Sequence, residues 1–371
     1  RIVPAIERSD HFFRYNRVEG AFLGVGARLE PADPLRRAWD IYATGGWAFA
    51  EQTPRGELQA RWRAAEPLPF AGGARWGVEA DAYRRLQEVR AFQPTFRWDV
   101  LYTFPALFGG SDTRDYYDAL GGALAVTTRG SEITGRLGAR VERQDSVVRN
   151  TTKYLFGTAE DFPLLAPVDV GTHAALEGEV ASGRGAGVWG VGNSAVAALR
   201  GEVGVGDFRF QRAIGLLSLR RSLGIVTLAT RLDAGAAWGA VPVQKLFRFG
   251  SGEGLRGFEP NEFAGSTAAL ARARLLIGLP PYSTQPLARS GFLFLPPLRP
   301  NLVLLGEAGW TEISEQARPA LERLGSKTTD GVRGSAGVGV SFFEDFVSIE
   351  WVRPLEGGRK GTWRVGLVEW F

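Results

Sequence analysis

The sequence predicts an all-β fold, a transmembrane antiparallel β-barrel, on three observations. Apolar and polar residues alternate with a period of two over many long segments. No run approaches the ~18 consecutive apolar residues that a membrane helix requires. Tryptophans sit near the ends of the alternating segments, where interfacial girdles place them. Only helices and closed barrels satisfy their backbone in lipid, so an integral membrane protein without long apolar runs is a barrel.

Composition narrows the function classes. The 371 residues include 49 glycines and 11 tryptophans, no cysteine and 2 histidines, His11 and His173. Disulfide scaffolds and thiolate metal sites are thereby excluded, a histidine-rich metal site is not expected, and no cofactor is implied. The net charge of +4 is small for this length and is assigned to scattered solvated charges, not to a nucleic-acid surface. Methionine is absent even at position 1, so the chain is expected to begin after processing or within a longer protein.

The strands follow in order. Residues 1–14 are expected to be a short periplasmic lead-in, and 15–371 the barrel. Candidate strands are 15–31, 37–51, 55–66, 74–88, 92–104, 114–129, 131–147, 168–182, 193–204, 207–222, 225–239, 266–281, 299–311, 331–343, 345–354 and 361–371. In 57–64, Leu58, Ala60, Trp62 and Ala64 share one face while Glu57, Gln59, Arg61 and Arg63 share the other. The segments 75–82 and 133–142 repeat this pattern. The count is sixteen, which puts both termini on one side. The fifth strand is the weakest, since it contains Pro94 and meets Pro105. Short connections at 51–55, 89–92, 129–131, 222–225 and 343–345 are expected as periplasmic turns. Longer ones at 104–114, 147–168, 239–266 and 311–331 are expected as extracellular loops, the last as coil in preference to a short helix. The long stretches 182–193 and 281–299 break this rule.

The most informative segment is 247–258, Phe-Arg-Phe-Gly-Ser-Gly-Glu-Gly-Leu-Arg-Gly-Phe, whose glycine-rich part carries Arg256. Its glycines allow a tight fold, and a guanidinium there requires a carboxylate or a set of carbonyls. Arg256 is therefore expected to point into the lumen and pin its own loop.

This segment resembles the sixth-loop motif of the BamA/TamA superfamily of outer-membrane barrels, which assemble or translocate proteins. Leu255-Arg256-Gly257-Phe258 fits the family's aliphatic-Arg-Gly-aromatic motif, and five candidate strands follow it. Glu307-Ala308-Gly309 stands where the family carries Asp-x-Gly on an inward face. The first candidate strand, with Gly20, Gly24 and Gly26, resembles family openings. The C-terminal strand, with Gly366 and Phe371, resembles an assembly signal, although Glu369 departs from it. A further departure is Arg272 and Arg274 on the strand after the loop, where relatives often carry a glutamate. The resemblance implies an inward-folded sixth extracellular loop locked by Arg256, Gly257, Phe258, Glu307 and Gly309. It also implies a lateral seam between 15–31 and 361–371, formed by Gly20, Gly24, Gly26, Gly366 and Phe371.

Catalytic patterns are rejected. Gly250-Ser251-Gly252 lacks a nucleophile elbow's spacing, and Gly252-x-Gly254-x-x-Gly257 lacks the helix and acid of a dinucleotide site. His173 with nearby Asp169 and Glu177 is assigned to the lumen or lipid edge. Glu177 and Glu179 lie ~7 Å apart on one strand face and are expected to be solvated lumen charges. The implied function is insertion or export of client proteins in the bacterial outer membrane, without catalysis. The implied partners are lipopolysaccharide, phospholipid, client proteins and possible periplasmic modules or lipoproteins. The rival readings are a passive or anion-preferring outer-membrane pore, the latter using Arg61, Arg63, Arg136, Arg140, Arg200 and Arg231, and an export barrel for a fused or partnered soluble domain.

Overall fold

The computed structural model describes residues 1–5, 11–33, 38–66, 73–92, 100–130, 132–158, 162–184, 193–251, 254–281, 288–290, 293–295, 298–343, 345 and 347–367. Seventeen strands form one antiparallel sheet. They are β1 (Ile2–Pro4), β2 (Phe13–Asn16), β3 (Gly20–Leu29), β4 (Trp39–Ala48), β5 (Thr53–Arg63), β6 (Arg75–Val89), β7 (Asp115–Arg129), β8 (Ile133–Ser146) and β9 (Gly171–Arg184). The rest are β10 (Ser194–Gly206), β11 (Phe210–Leu223), β12 (Val226–Gly239), β13 (Thr267–Gly278), β14 (Asn301–Glu312), β15 (Arg333–Phe342), β16 (Val347–Pro354) and β17 (Thr362–Leu367). From β3 to β17 each strand pairs with the next in sequence, so the sheet is a meander. Among the described residues, β17 pairs only with β16.

The side-chain arrangement inverts that of a soluble protein. Leu23 and Val25 on β3, Leu58 on β5, Leu124 on β7, Leu137 and Val141 on β8, and Leu199 on β10 are exposed. Charged side chains are enclosed on the opposite face of the sheet, among them Arg55 on β5, Glu142 on β8, Arg231 and Asp233 on β12, Arg274 on β13 and Glu350 on β16. Exposed tryptophans mark both ends of the strands: Trp39 and Trp62 at one, Trp47, Trp238 and Trp363 at the other. No helix among the described residues is long and apolar enough to cross a membrane.

Several expectations are corrected. The expected first strand, 15–31, is two strands joined by a turn. The Asn16 side-chain carbonyl accepts the amides of Val18 (3.0 Å) and Glu19 (2.8 Å), and Gly20 takes φ +62°, which turns the chain back on itself. The lead-in residues Ile2–Pro4 pair with Leu29–Ala27, so β1 and β2 lie end to end along one edge of β3. The expected fifth strand is not formed where it is described: Val100–Gly109 is a helix, α1, with Pro105 inside it. Residues 93–99 lie outside the described residues.

The split of one strand and the loss of another offset each other. From β7 onward the strand directions are those expected. The connections 49–52 and 90–114 nevertheless fall at the same end as 240–266, not among the short turns. Counted along that loop end, 240–266 is the sixth connection. At the turn end, part of the long stretch 281–299 forms a small hairpin, Ala288–Ser290 with Leu293–Leu295. In the loop expected as coil, Arg318–Leu324 is a helix, α2, because Ala320 and Leu321 have an apolar cluster to cover and Gly325 at φ +74° ends it.

That cluster belongs to the sixth loop. Leu246, Phe247, Phe249, Leu255, Phe258 and Phe263 are buried together with Leu270 of β13 and Phe210 of β11. The largest apolar core thus lies on the enclosed side of the sheet, built by a loop.

Candidate functional site: the arginine loop and the sheet edge

The alternation of three strands aims the partners of Arg256. On β14 the buried positions are Val303, Leu305, Glu307, Gly309 and Thr311. On β16 they are Ser348, Glu350, Val352 and Pro354, and on β13 they include Leu270, Arg274 and Leu276. Glutamates 307 and 350 therefore face inward from strands separated by β15.

Arg256 lies between them. Its backbone amide donates to Glu307 Oε2 (2.7 Å) and its Nε to Glu307 Oε1 (3.0 Å). Its Nη1 donates to Glu350 Oε2 (2.5 Å). Ser335 Oγ adds a bond to Glu307 Oε2 at 3.2 Å. Glu350 also accepts from Arg274, which reaches Asp345 Oδ1 at 2.6 Å. Charges alternate along this chain, so each buried ion has an opposite neighbour. Arg272 belongs to a second group, donating to Asp233 Oδ2 (2.8 Å) beside Arg231, which reaches Asp233 Oδ1 at 2.7 Å. The two arginines that depart from the family pattern therefore each meet a carboxylate from another strand.

The remaining motif residues shape the loop. Gly257 has φ +93°, and a Cβ there would come within 2.8 Å of Pro354 Cδ. Gly309 offers a flat patch for Leu255: an added Cβ would lie 2.8 Å from Leu255 Cδ1. Phe258 is buried edge-on against Phe263, with ring centroids 5.2 Å apart, and the Arg359 guanidinium lies 4.9 Å from its ring centre.

Further contacts hold the loop at its outer end. Asp115 Oδ2 accepts from Asn261 Nδ2 (2.6 Å) and Arg248 Nη1 (3.2 Å). Glu262 accepts from both Arg359 Nη atoms, at 2.8 and 2.6 Å, and pairs with Lys327 Nζ at 3.1 Å. Partial burial raises the Glu262 carboxyl, but the bonds from Arg359, the Glu259 amide and Lys327 outweigh it and hold the group down to about 2.

Sequence reasoning missed Glu350. Its signal was available: Ser348-Ile349-Glu350-Trp351-Val352 alternates, so Glu350 shares the inward face with Ser348. A pattern of one arginine and one carboxylate gave no reason to seek a second acid.

The expected seam residues are placed differently. Gly20, Gly24 and Gly26 lie on β3, which is flanked by β1 and β2 on one side and by β4 on the other. These glycines serve packing: an added Cβ would meet Ala50 Cβ at 2.7 Å from Gly20, would run into His11 O from Gly24 and would meet Thr44 Cγ2 at 2.8 Å from Gly26. Among the described residues the outer edge belongs to Ile2–Pro4 and Phe13–Asn16, which pair only with β3. Gly366 lies on β17, and Phe371 falls outside the described residues.

His173 is fully buried, with Nε2 2.8 Å from Glu202 Oε1 and its ring stacked on Phe210. Glu177 pairs with Arg136 and Arg140, and Glu179 with Arg200 at 2.9 Å. Among the described residues no cluster of histidine and acid side chains could hold a metal ion.

The fold, a meandering antiparallel sheet with an inward-folded loop, is of the BamA type. The backbone is similar to the crystal structure of BamA from Haemophilus ducreyi lacking POTRA domains 1–3, with a TM-score of 0.54 and 13% identity over 95% of this chain and 68% of that chain. It also matches CdiB from Acinetobacter baumannii, with a TM-score of 0.43 and 9% identity over 95% of this chain and 57% of that one. No family model and no curated protein matches the sequence.

Proposed function

We propose that this chain is the membrane barrel of an outer-membrane protein-assembly or translocation device, a sixteen-stranded cylinder in the bacterial outer membrane that opens laterally at a seam between the β1–β2 edge and β17. Its outward apolar face contacts lipopolysaccharide and phospholipid, and residues 240–266 are its sixth extracellular loop. It works without catalysis, by holding this loop inside the lumen and offering an edge for an incoming client strand. Backbone hydrogen bonds supply that strand's affinity. Periplasmic modules or lipoproteins are its proposed partners.

The observation that carries this reading is Arg256, held by Glu307 and Glu350 beneath a buried aromatic loop. The fold likeness to BamA adds support. An anion-preferring pore needs uncompensated positive charge in the lumen, and the arginines that would provide it face carboxylates. Arg63 lies 3.2 Å from Asp40, Arg136 3.7 Å from Glu177, Arg140 3.2 Å from Glu202 and Arg200 2.9 Å from Glu179. Lumen selectivity follows net fixed charge, so neutralised pairs leave little anion preference.

The test is reconstitution of the purified chain in lipid vesicles with an unfolded client barrel. Faster protease-resistant insertion than in empty vesicles is expected. Large, steady, anion-selective currents in planar bilayers, with no effect on client insertion, would replace this reading with the pore.

A further inference from the structure

The outer edge of the first strand pair is covered by a helix from another loop. In an antiparallel ladder, alternate residues turn both backbone groups toward the partner strand. The Gly24 amide donates to Phe12 O (2.9 Å) and the Ala5 amide to Gly26 O (3.1 Å). In this register Phe13 and Tyr15 on β2, and Ile2 and Pro4 on β1, turn their backbone groups away from β3. Pro4 has no N–H to offer there, a common way to blunt an edge. At Tyr15 the amide is already taken: it donates to Thr103 Oγ1 of α1 at 3.2 Å. Thr103 is buried, and the Tyr15 hydroxyl donates to the Lys153 carbonyl. The turn after β2 is held by the same two loops, with the Arg17 amide on Asp112 Oδ2 (3.2 Å) and the Asn150 amide on Arg17 O (3.0 Å).

α1 is a poor helix in isolation. It has ten residues with Pro105 inside, no acid in its first turn and no base in its last. A helix this short is marginal in water even without proline, so α1 depends on the surface it covers. It nevertheless leaves Phe104 and Phe108, stacked 5.9 Å apart, exposed at 47% and 42%.

We propose that α1 is a displaceable lid on the outer edge of β2, with the Thr103 hydroxyl occupying the hydrogen-bond position that an incoming β-strand takes at Tyr15. The identity of the displacing partner rests on the strand-pairing function proposed above; the lid itself does not. The partner is an extended segment of alternating apolar and aromatic residues, of which this chain's own 361–371 is an example. A carbonyl of that strand replaces the Thr103 hydroxyl at the Tyr15 amide, and α1 moves off with its loop.

The test uses the full chain in phospholipid nanodiscs, labelled with 15N at its 8 tyrosines. Amide exchange at Tyr15 should rise about fivefold to tenfold in Thr103→Val, the loss of about one hydrogen bond, and stay near the parent rate in Thr103→Ser. Pro105→Ala, which strengthens the helix, should slow it. A synthetic peptide of residues 361–371 carrying a photo-crosslinker should be captured at β2 more by Thr103→Val than by the parent chain. Unchanged Tyr15 exchange in Thr103→Val, or equal peptide capture by the two proteins, overturns the lid. If capture rises while neither protein assembles a client barrel, the lid stands and the assembly function falls.

Discussion

Replacing Arg256 by alanine leaves Glu307 and Glu350 facing a hole. Both are nearly inaccessible, at 5% and 1% exposure. The substitution removes two charge-assisted side-chain bonds, each worth about 1.5–3 kcal/mol. The full loss is not reached, because the residue 256 amide still reaches Glu307, Ser335 still donates to it, and Arg274 still pairs with Glu350. Breaking a buried pair by removing one partner costs about 3–5 kcal/mol, and water in the lumen lowers that toward the smaller figure. A loss of about 3 kcal/mol raises the population of released loop by about a hundredfold. Single-channel recording should therefore show Arg256→Ala opening to larger and more frequent conductance steps than the parent. Protease should cut within 247–258 faster. Arg256→Lys keeps the charge but loses the forked geometry, and should fall between the two. If Arg256→Ala matches the parent in both conductance and cleavage, the loop is not held by this ion group and the reasoning fails.

Other outcomes follow from the same geometry. Gly309→Val drives a side chain into Leu255, an overpacking cost of about 1–3 kcal/mol, and should lower the temperature at which the folded form loses its fast migration in gel electrophoresis. Glu350→Gln should cost loop retention as Glu307→Gln does. The two together should be less than additive, because both carboxylates act through Arg256. The depressed Glu262 carboxyl contributes stability that is present above its unfolded value near 4.5 and is lost as pH falls through about 2. Exchange in the 355–361 connection should therefore rise between pH 4.5 and 2, and Glu262→Gln should remove that dependence. Asn16→Ala removes the acceptor of two turn amides, and a stability loss of about 1–2 kcal/mol should appear as a lower denaturant midpoint.

The alternation in 57–64 and 133–142 made the inward and outward faces legible, because a period of two leaves a strand one way to face lipid. The need of Arg256 for a carboxylate was likewise legible, since a guanidinium in an enclosed loop must be compensated, and Glu307 was indicated by the resemblance of Glu307-Ala308-Gly309 to the family motif. The split of 15–31 was not. It rests on one side-chain carbonyl, Asn16 Oδ1, outweighing an otherwise continuous strand pattern. Nor was α1, whose Pro105 argues against both strand and helix and whose conformation is set by contact with β2 and with a small hairpin in the next loop, in which Lys153–Tyr154 pairs with Gly157–Thr158.

By itself, then, the sequence determined what is local and periodic: strands, their faces, and the need for an acid near Arg256. Tertiary structure alone decided which acids meet which arginines, since Glu307, Glu350 and Arg274 come from strands that only the ladder brings side by side. It also decided which strand forms the edge. Edge position is a property of pairing across the whole chain, and neither composition nor spacing within Phe13–Asn16 encodes it.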